Sequence, residues 1–334
     1  MMRLLVLLVV ATLAWSVYWA IGSTAASKGF ETWFAARQNE GWVAGYDELD
    51  VTGFPSRFES TFTEVEVADP ETGLAWRAPL FQLFALSYQP NHLIAVWPKS
   101  QRLATPIDKY DIASEDMRAS FTSAASTSLA VKSMTLTSLA IAVTPESSGQ
   151  PSTADKLTLA ASRLEESEST YRLGLSADGF SPALDWRVLL DPSGSLPDRF
   201  DALTADAVVE FDKPWDRSAI EDNRPQPKHI DLALVEARWG RLELQIAGEV
   251  DVSDTGVPDG EIVIKARNWR EILKLGVESG ALPEALASSV EGGLSLLSQL
   301  AGNPKTLDIP LAFKGGKVLL GPVPIADAPV LLIR

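Results

Sequence analysis

His92 and His229 are the only two imidazoles in this chain of 334 residues. They stand far apart, without the His-x-x-x-His or Glu-x-x-x-His spacing that places two zinc ligands on one helix face, so each reads as a turn or strand-start residue. Asp251, Asp254, Asp259 and Glu261 put four carboxylates into one short segment. Calcium loops use such closely spaced oxygens, but this segment lacks the Asp-x-Asp-x-Asp-Gly order and lies between two expected strands. Asp and Gly are also what a β-turn needs, and a turn is the expectation. Lys314-Gly315-Gly316-Lys317 lacks the spacing and following helix of a phosphate loop and reads as a hairpin. No Gly-x-Ser-x-Gly elbow supports a nucleophilic serine, although a Ser-His-acid group assembled in space is not ruled out by composition. Arg57 could hold an anion; pairing with Glu59 or Glu64 is the ordinary expectation. No catalytic, cofactor-binding or metal-binding residue is assigned, no cofactor is expected, and the chain reads as a non-enzyme.

The elements that carry these residues begin with an apolar segment. Leu4 to Ile21 is interrupted only by Thr12 and Ser16. Its eighteen residues give about 27 Å of helix at about 1.5 Å per residue, enough to cross a bilayer's hydrocarbon core. Trp15, Tyr18 and Trp19 cluster at its far end, where aromatic rings favour the membrane interface, and Arg3 lies at its near end. Residues 1–22 are therefore expected to be a membrane anchor. The competing reading is a cleaved signal peptide, with Ala20-Ile21-Gly22 or Ser23-Thr24-Ala25 as the cleavage site; the length of the run and its bulky aromatics argue against it.

Composition narrows the partners. Lys and Arg total 29 against 44 Asp and Glu, a net charge of -15. Such a chain repels nucleic acid and disfavours docking on anionic headgroups, so lipid contact beyond the anchor should be apolar. The absence of cysteine excludes disulfides, thiolate metal sites and a cysteine nucleophile together.

Beyond the anchor, Phe30, Trp33, Phe34 and Arg37 fall on one helical face in a segment from Ser27 to Glu40 that Gly41 should stop. This helix is expected to pack on the body. The period then changes to two: Leu74, Trp76, Ala78 and Leu80; Leu93, Ala95 and Trp97; Leu139, Ile141 and Val143. Residues 145–154 form a linker or long loop dividing a first sheet-rich half, 23–150, from a second, 151–334. Strands resume at Leu157 to Ala161, Tyr171 to Ala177, Leu184 to Leu190, Ile230 to Leu234, Leu242 to Ile246 and Ile262 to Ala266. Residues 216–228 form a second excursion. Asn268 is expected to cap a helix with Glu271 three residues on, and Pro283 to open another that carries Leu282, Leu286, Val290, Leu294, Leu297 and Ala301 before Gly302 and Pro304. Strands from Leu307 to Phe313 and Lys317 to Leu320 then close around Gly315-Gly316. The fold class is α+β and β-dominant: long curved antiparallel sheets in two halves, helices near 268–301 and one N-terminal transmembrane helix.

Gly53-Phe54-Pro55-Ser56-Arg57 opens a segment running to Pro98, and Gly321-Pro322-Val323-Pro324 lies in a closing segment from Phe313 to Leu332. With the stretch from Trp239 to Leu273, these resemble an uncharacterised family of membrane-anchored bacterial proteins, associated with alphaproteobacteria and the wider AsmA-like group. The resemblance implies a single-pass inner-membrane protein facing the periplasm, whose curved sheet has an apolar side for lipid. It supplies no catalytic residue. The first functional expectation is a non-enzymatic lipid-handling or envelope-maintenance module with an apolar β-groove, binding phospholipid or another envelope lipid. The alternative is a scaffold that binds envelope proteins through acidic loops such as Glu165 to Glu168 or Asp216 to Asp222. Trp76, Trp97, Trp186, Trp215, Trp239 and Trp269 fall in or beside strands, where they would fill a core or line an open groove.

Overall fold

The computed structural model describes residues 1–280, 282, 284–300 and 306–333, without the side chains at 220, 286, 297 and 300. Its first element is one unbroken helix, α1 (Met2–Asn39). The apolar segment and the helix expected from Ser27 onward are thus a single rod. Nothing between Gly22 and Ser27 breaks it, and Ser23, Thr24 and Ser27 turn their hydroxyls back onto carbonyls of the preceding turn, which the helix accommodates. Gly41 ends it with φ +91, the left-handed conformation that glycine adopts at a helix C-terminus.

The remainder is dominated by antiparallel strands. The first are β1 (Val43–Gly45), β2 (Glu48–Thr52), β3 (Arg57–Asp69), β4 (Leu74–Leu86), β5 (Gln89–Trp97), β6 (Ser100–Ala104), β7 (Lys109–Ala113), β8 (Asp116–Ser123) and β9 (Val131–Pro145). There follow β10 (Ser152–Arg163), β11 (Thr170–Asp178), helix α2 (Leu184–Leu190), β12 (Ala202–Phe211), a short α3 (Ser218–Glu221), β13 (Pro227–Trp239), β14 (Leu242–Val252) and β15 (Pro258–Arg267). Helices α4 (Trp269–Glu278) and α5 (Glu284–Leu300) precede β16 (Thr306–Lys314), β17 (Lys317–Leu320) and β18 (Val323–Asp327).

Strands joined by hairpins pair with each other, whereas three short connections instead carry the chain onward along one edge of a third strand. β1 and β2 share one edge of β3. β5 and β6 share one edge of β4, and β7 and β8 share one edge of β9. From β9 to β18 the sheet is an uninterrupted meander. It continues through the expected linker, since β9 and β10 pair from Val143↔Ser152 to Ser133↔Ser162. The sheet also curves. Arg224, in the β12–β13 connection, lines the same crevice as Asp69 and Trp76 of the β3–β4 hairpin. That hairpin lies six strand positions away at about 4.8 Å each, a separation bridged by curvature and by the folded-back connection.

Among the described residues apolar packing forms three centres. Phe34, Ala44, Phe62, Val65 and Ala78 join α1 to β1, β3 and β4. Trp269, Val290, Leu294, Ala266 and Leu307 hold α4 and α5 on β15 and β16. Tyr171, Val209 and Phe211 form the third, with Trp215 against them. Both later helices therefore stand where their apolar stripes placed them. The expected Pro283 start, the Ala301 to Pro304 stop and the side chains of Leu286 and Leu297 lie outside the described residues.

Several local readings are corrected. Leu184 to Leu190 is a helix. Five large apolar residues in seven suit either period, and Leu and Arg are good helix formers; Ser152 Oγ accepts from the Ala183 amide at 3.0 Å just before the first turn. The helix buries little, leaving Leu184, Trp186, Val188 and Leu189 each about half exposed. Asn268 does not cap α4 with its side chain. It sits at φ +59, and its amide donates to the Arg241 carbonyl in the β13–β14 turn. Leu80 lies outside the buried face because the phase slips on both paired strands at Glu64, φ +45, and Pro79; Phe62 faces Phe81 on one side of the slip and Val65 faces Ala78 on the other. β18 was not expected at all. Pro324 within it and Pro322 just before it mask the strand pattern, and an edge strand tolerates a proline.

The helical assignment of α2 is testable. Trp186→Gln and Val188→Gln each change stability by no more than about 0.5 kcal/mol in urea unfolding, as exposed sites do; a buried strand at this position would cost several times that.

Candidate functional site

The residues with chemical potential are dispersed. His92, on β5, lies with Nε2 2.8 Å from Ser120 Oγ on β8. No carboxylate hydrogen bond completes that pair among the described residues. His229, on β13, places Nδ1 2.8 Å from Asp251 Oδ1, with Glu249 at 4.0 Å from its other nitrogen. The Asp251 hydrogen bond raises the His229 pKa above its ordinary 6.5, aided by the charges of Asp251, Glu249 and Asp231 and opposed by partial desolvation. Asp254 pairs instead with Lys228. Asp259 faces Asp251 across the ladder and Glu261 faces Glu249. The four carboxylates are therefore spread along a hairpin whose turn closes through the Val257 and Gly256 amides. Among the described residues no group of three or more His, Asp or Glu converges as a metal site.

Lys314 to Lys317 forms the expected hairpin, with Gly315 and Gly316 at φ +58 and +74. Arg57 pairs with Glu59 at 3.0 Å, one of its two expected partners; Glu64 meets Arg77. The tryptophans do not line one face. Trp76 and Trp97 pack near α1 through Phe81. Trp239 stacks on Phe200 at 4.5 Å, Trp269 belongs to the α4–α5 core, and Trp186 is exposed.

What the chain does assemble lies between α1 and the sheet. The first turns of α1 are long and apolar enough to cross a membrane, and none of that window is buried by the rest of the protein. The aromatic end is different. Trp15 Nε1 donates to the Pro55 carbonyl at 2.8 Å and Trp19 Nε1 to the Arg57 carbonyl at 2.8 Å. Tyr18 donates its hydroxyl to the Ser87 carbonyl. The acceptors lie in the β2–β3 connection, at the first residue of β3 and in the β4–β5 connection; Ser87 ties the two connections together by its amide to Ser56 and its hydroxyl to Pro55. Trp19 also packs between Phe54 and Phe58, at 5.5 and 6.0 Å. Phe54 and Tyr88 stay more than half exposed beside this joint. The aromatic rings at the end of the apolar segment thus bridge the helix and both loops.

Past this joint, α1 presents Gly22, Ala26 and Gly29 to the sheet. A Cβ at Gly22 would meet Phe58 Cζ at 2.4 Å, so glycine there permits close approach of helix and strand. Nothing lies within 4 Å of a Cβ built at Gly29. Gly29 opens instead on a cavity of about 530 Å³ whose walls are Phe30, Trp33 and Phe34 from α1 and Phe62, Val65, Trp76 and Phe81 from β3 and β4. A second cavity, about 310 Å³, adjoins it through Ala26, Phe30 and Leu83 and extends to Tyr18 and Pro90 at the aromatic joint. No charged side chain lines either one. Sequence reasoning missed this groove. The signal was present in the three small residues at i, i+4 and i+7 amid the aromatics, but periodicity does not show which small residue leaves a void.

The profile of a bacterial family described as an uncharacterized protein conserved in bacteria (DUF2125) matches residues 19–329. The chain belongs to that family. No curated protein and no solved structure matches it. The match begins at Trp19 and so takes in the last of the three docking residues, the groove from Gly22 onward and the whole sheet, but neither Trp15 nor Tyr18.

Two outcomes follow from this geometry. Gly22→Leu overpacks the Phe58 contact and costs about 1–3 kcal/mol, whereas Gly29→Ala gains up to about 1 kcal/mol from helix propensity; near-UV circular dichroism during thermal unfolding separates the two signs. The stabilisation from His229 is fully present below its unfolded pKa near 6.5 and is lost as pH rises through the raised folded value. His229→Gln should therefore lower the melting temperature more at pH 5.5 than at pH 8.5; an equal deficit at both contradicts this account of the pair.

Proposed function

We propose that this chain is a non-enzymatic, membrane-anchored lipid-handling module whose body faces the bacterial periplasm from the inner membrane. The observation that carries the reading is the uncharged groove between α1 and β3–β5, which begins at the membrane joint. Exposed apolar space of this extent, walled by aromatic rings, is characteristic of ligand-binding sites. The net charge of -15 agrees with contact through apolar surface rather than anionic headgroups. The resemblance to the AsmA-like group points the same way, with the difference that the void here lies under a helix rather than along an open sheet face.

A retained anchor is part of the reading. Trp15, Tyr18 and Trp19 hold the β2–β3 and β4–β5 connections, and cleavage near Gly22 or Ala25 would remove all three donors. Each such hydrogen bond contributes about 0.5–1.5 kcal/mol, so the folded body benefits from keeping its anchor. The scaffold alternative draws less support from the acidic loops, because Asp216 accepts from Ser218 and Glu221 pairs with Arg217 at 2.9 Å.

Native mass spectrometry of the full chain after exhaustive detergent exchange tests the proposal. One phospholipid retained per folded chain is the expected result. A folded chain that retains none contradicts it and favours the scaffold.

A further inference from the structure

We infer that the groove takes one acyl chain of a bilayer phospholipid directly from the adjoining leaflet, with the lipid's glycerol end held at Tyr18 and Pro90 and the chain end reaching Trp76. The inference rests on the lipid-handling reading and adds the ligand's chemical class, its orientation and its route.

Continuity with the membrane comes first. Tyr18 belongs to the aromatic end of the apolar segment and also lines the nearer cavity. An acyl chain leaving the leaflet at this level meets apolar wall at once and crosses no aqueous gap. The two cavities share Ala26, Phe30 and Leu83, so the path from the interface inward is unbroken.

The dimensions agree. From Tyr18 to Phe34 the helix rises about 24 Å, while one leaflet's half of the hydrocarbon core is about 15 Å. A chain that fits the leaflet therefore fits the groove lengthwise. At Gly22 the helix closes on Phe58, and the void passes this contact along Leu83, Ala85 and Leu93.

The lining decides between an alkyl chain and a peptide. A bound peptide would bring backbone amides and carbonyls that need partners when buried. The floor strands have none to offer, since β3 is paired on both edges and so is β4. No charged side chain lines either cavity. An alkyl chain makes no such demand, and each methylene it buries adds to binding. Polarity returns beyond Val67 and Trp76, which also border a third crevice that contains Asp69, Thr72 and Arg224. That polar rim sets the inner limit for the terminal methyl.

The test uses the full chain in vesicles of phosphatidylethanolamine and phosphatidylglycerol that carry trace phosphatidylethanolamine with a diazirine either at the acyl terminus or beside the glycerol. After irradiation, acyl-terminus adducts are expected on Phe30, Trp33, Phe62 and Phe81, and glycerol-side adducts on Tyr18 and Pro90. Ala26→Trp, which fills the junction of the two cavities, should cut the inner adducts at least about tenfold, the effect of losing two buried methylenes. Gly29→Leu projects into open space and serves as the second variant should Ala26→Trp fail to fold. Adducts confined to Leu4 to Leu13, or inner adducts unchanged in a folded blocking variant, overturn the inference. If phospholipid survives detergent exchange while the adducts fall elsewhere on the sheet, the lipid-handling reading stands and this site falls. If no lipid is retained and no adduct appears beyond the span, both fall.

Discussion

The docking of one continuous helix onto two neighbouring connections is the constraint on which the rest depends. Trp15, Tyr18 and Trp19 donate to three backbone carbonyls that a β-meander would otherwise leave to solvent. An indole or phenol at a membrane boundary needs a polar partner at one end of an apolar ring. Here the partner is the protein's own loop. Because α1 continues unbroken to Asn39, this boundary contact fixes the orientation of the first strands relative to the apolar span. Farther along the same rod, Phe30 meets Phe62 edge-on at 5.1 Å and Phe34 meets Tyr46 at 4.9 Å. The rod ends with Arg37, buried, paired with Glu40 at 2.7 Å and set beside the rings of Trp33 and Trp42. Buried charge is tolerated there because its partner and both aromatic faces are local.

The groove follows from that arrangement. Aromatic contacts at both ends hold the helix at a set distance from β3 and β4, and small residues in between fail to fill the gap. Close-packed interiors seldom leave such volume unfilled. Here the spacing is enforced by Trp19 at one end and Phe34 at the other, so collapse would forfeit contacts at both. Without disulfides, packing alone holds this spacing.

Much of the architecture was legible before folding. The apolar span, the period-two strands, the Gly315-Gly316 hairpin and the stripe of Val290 and Leu294 are local patterns, and local patterns survive into the structure when tertiary context agrees with them. The failures have physical causes. Leu184 to Leu190 is too short and too uniformly apolar for period to discriminate helix from strand. The slips at Glu64 and Pro79 arise from pairing between strands, which a single segment does not reveal. Asn268 has a capping side chain in sequence and a different partner in space, Arg241. The candidate site was the least legible part. His92, His229 and the Asp251 to Glu261 carboxylates stood out as residue types, yet His92, His229, Asp251 and Asp254 are taken up by neighbours and Asp259 and Glu261 stand along the ladder apart from them. Gly22, Ala26 and Gly29 looked ordinary until the helix was set against Phe58 and Phe62.

The central claim is that α1 is rigid and docked across the junction between apolar span and body. Hydrogen–deuterium exchange of the full chain in lipid nanodiscs measures this at residues 20–30. The account predicts slow exchange through Gly22, Ser23 and Thr24, merging with the protected span before them and the protected Phe30 to Phe34 turn after them. Rapid exchange confined to residues 22–27 would mean a hinge between anchor and body, and the docked-helix account would be wrong.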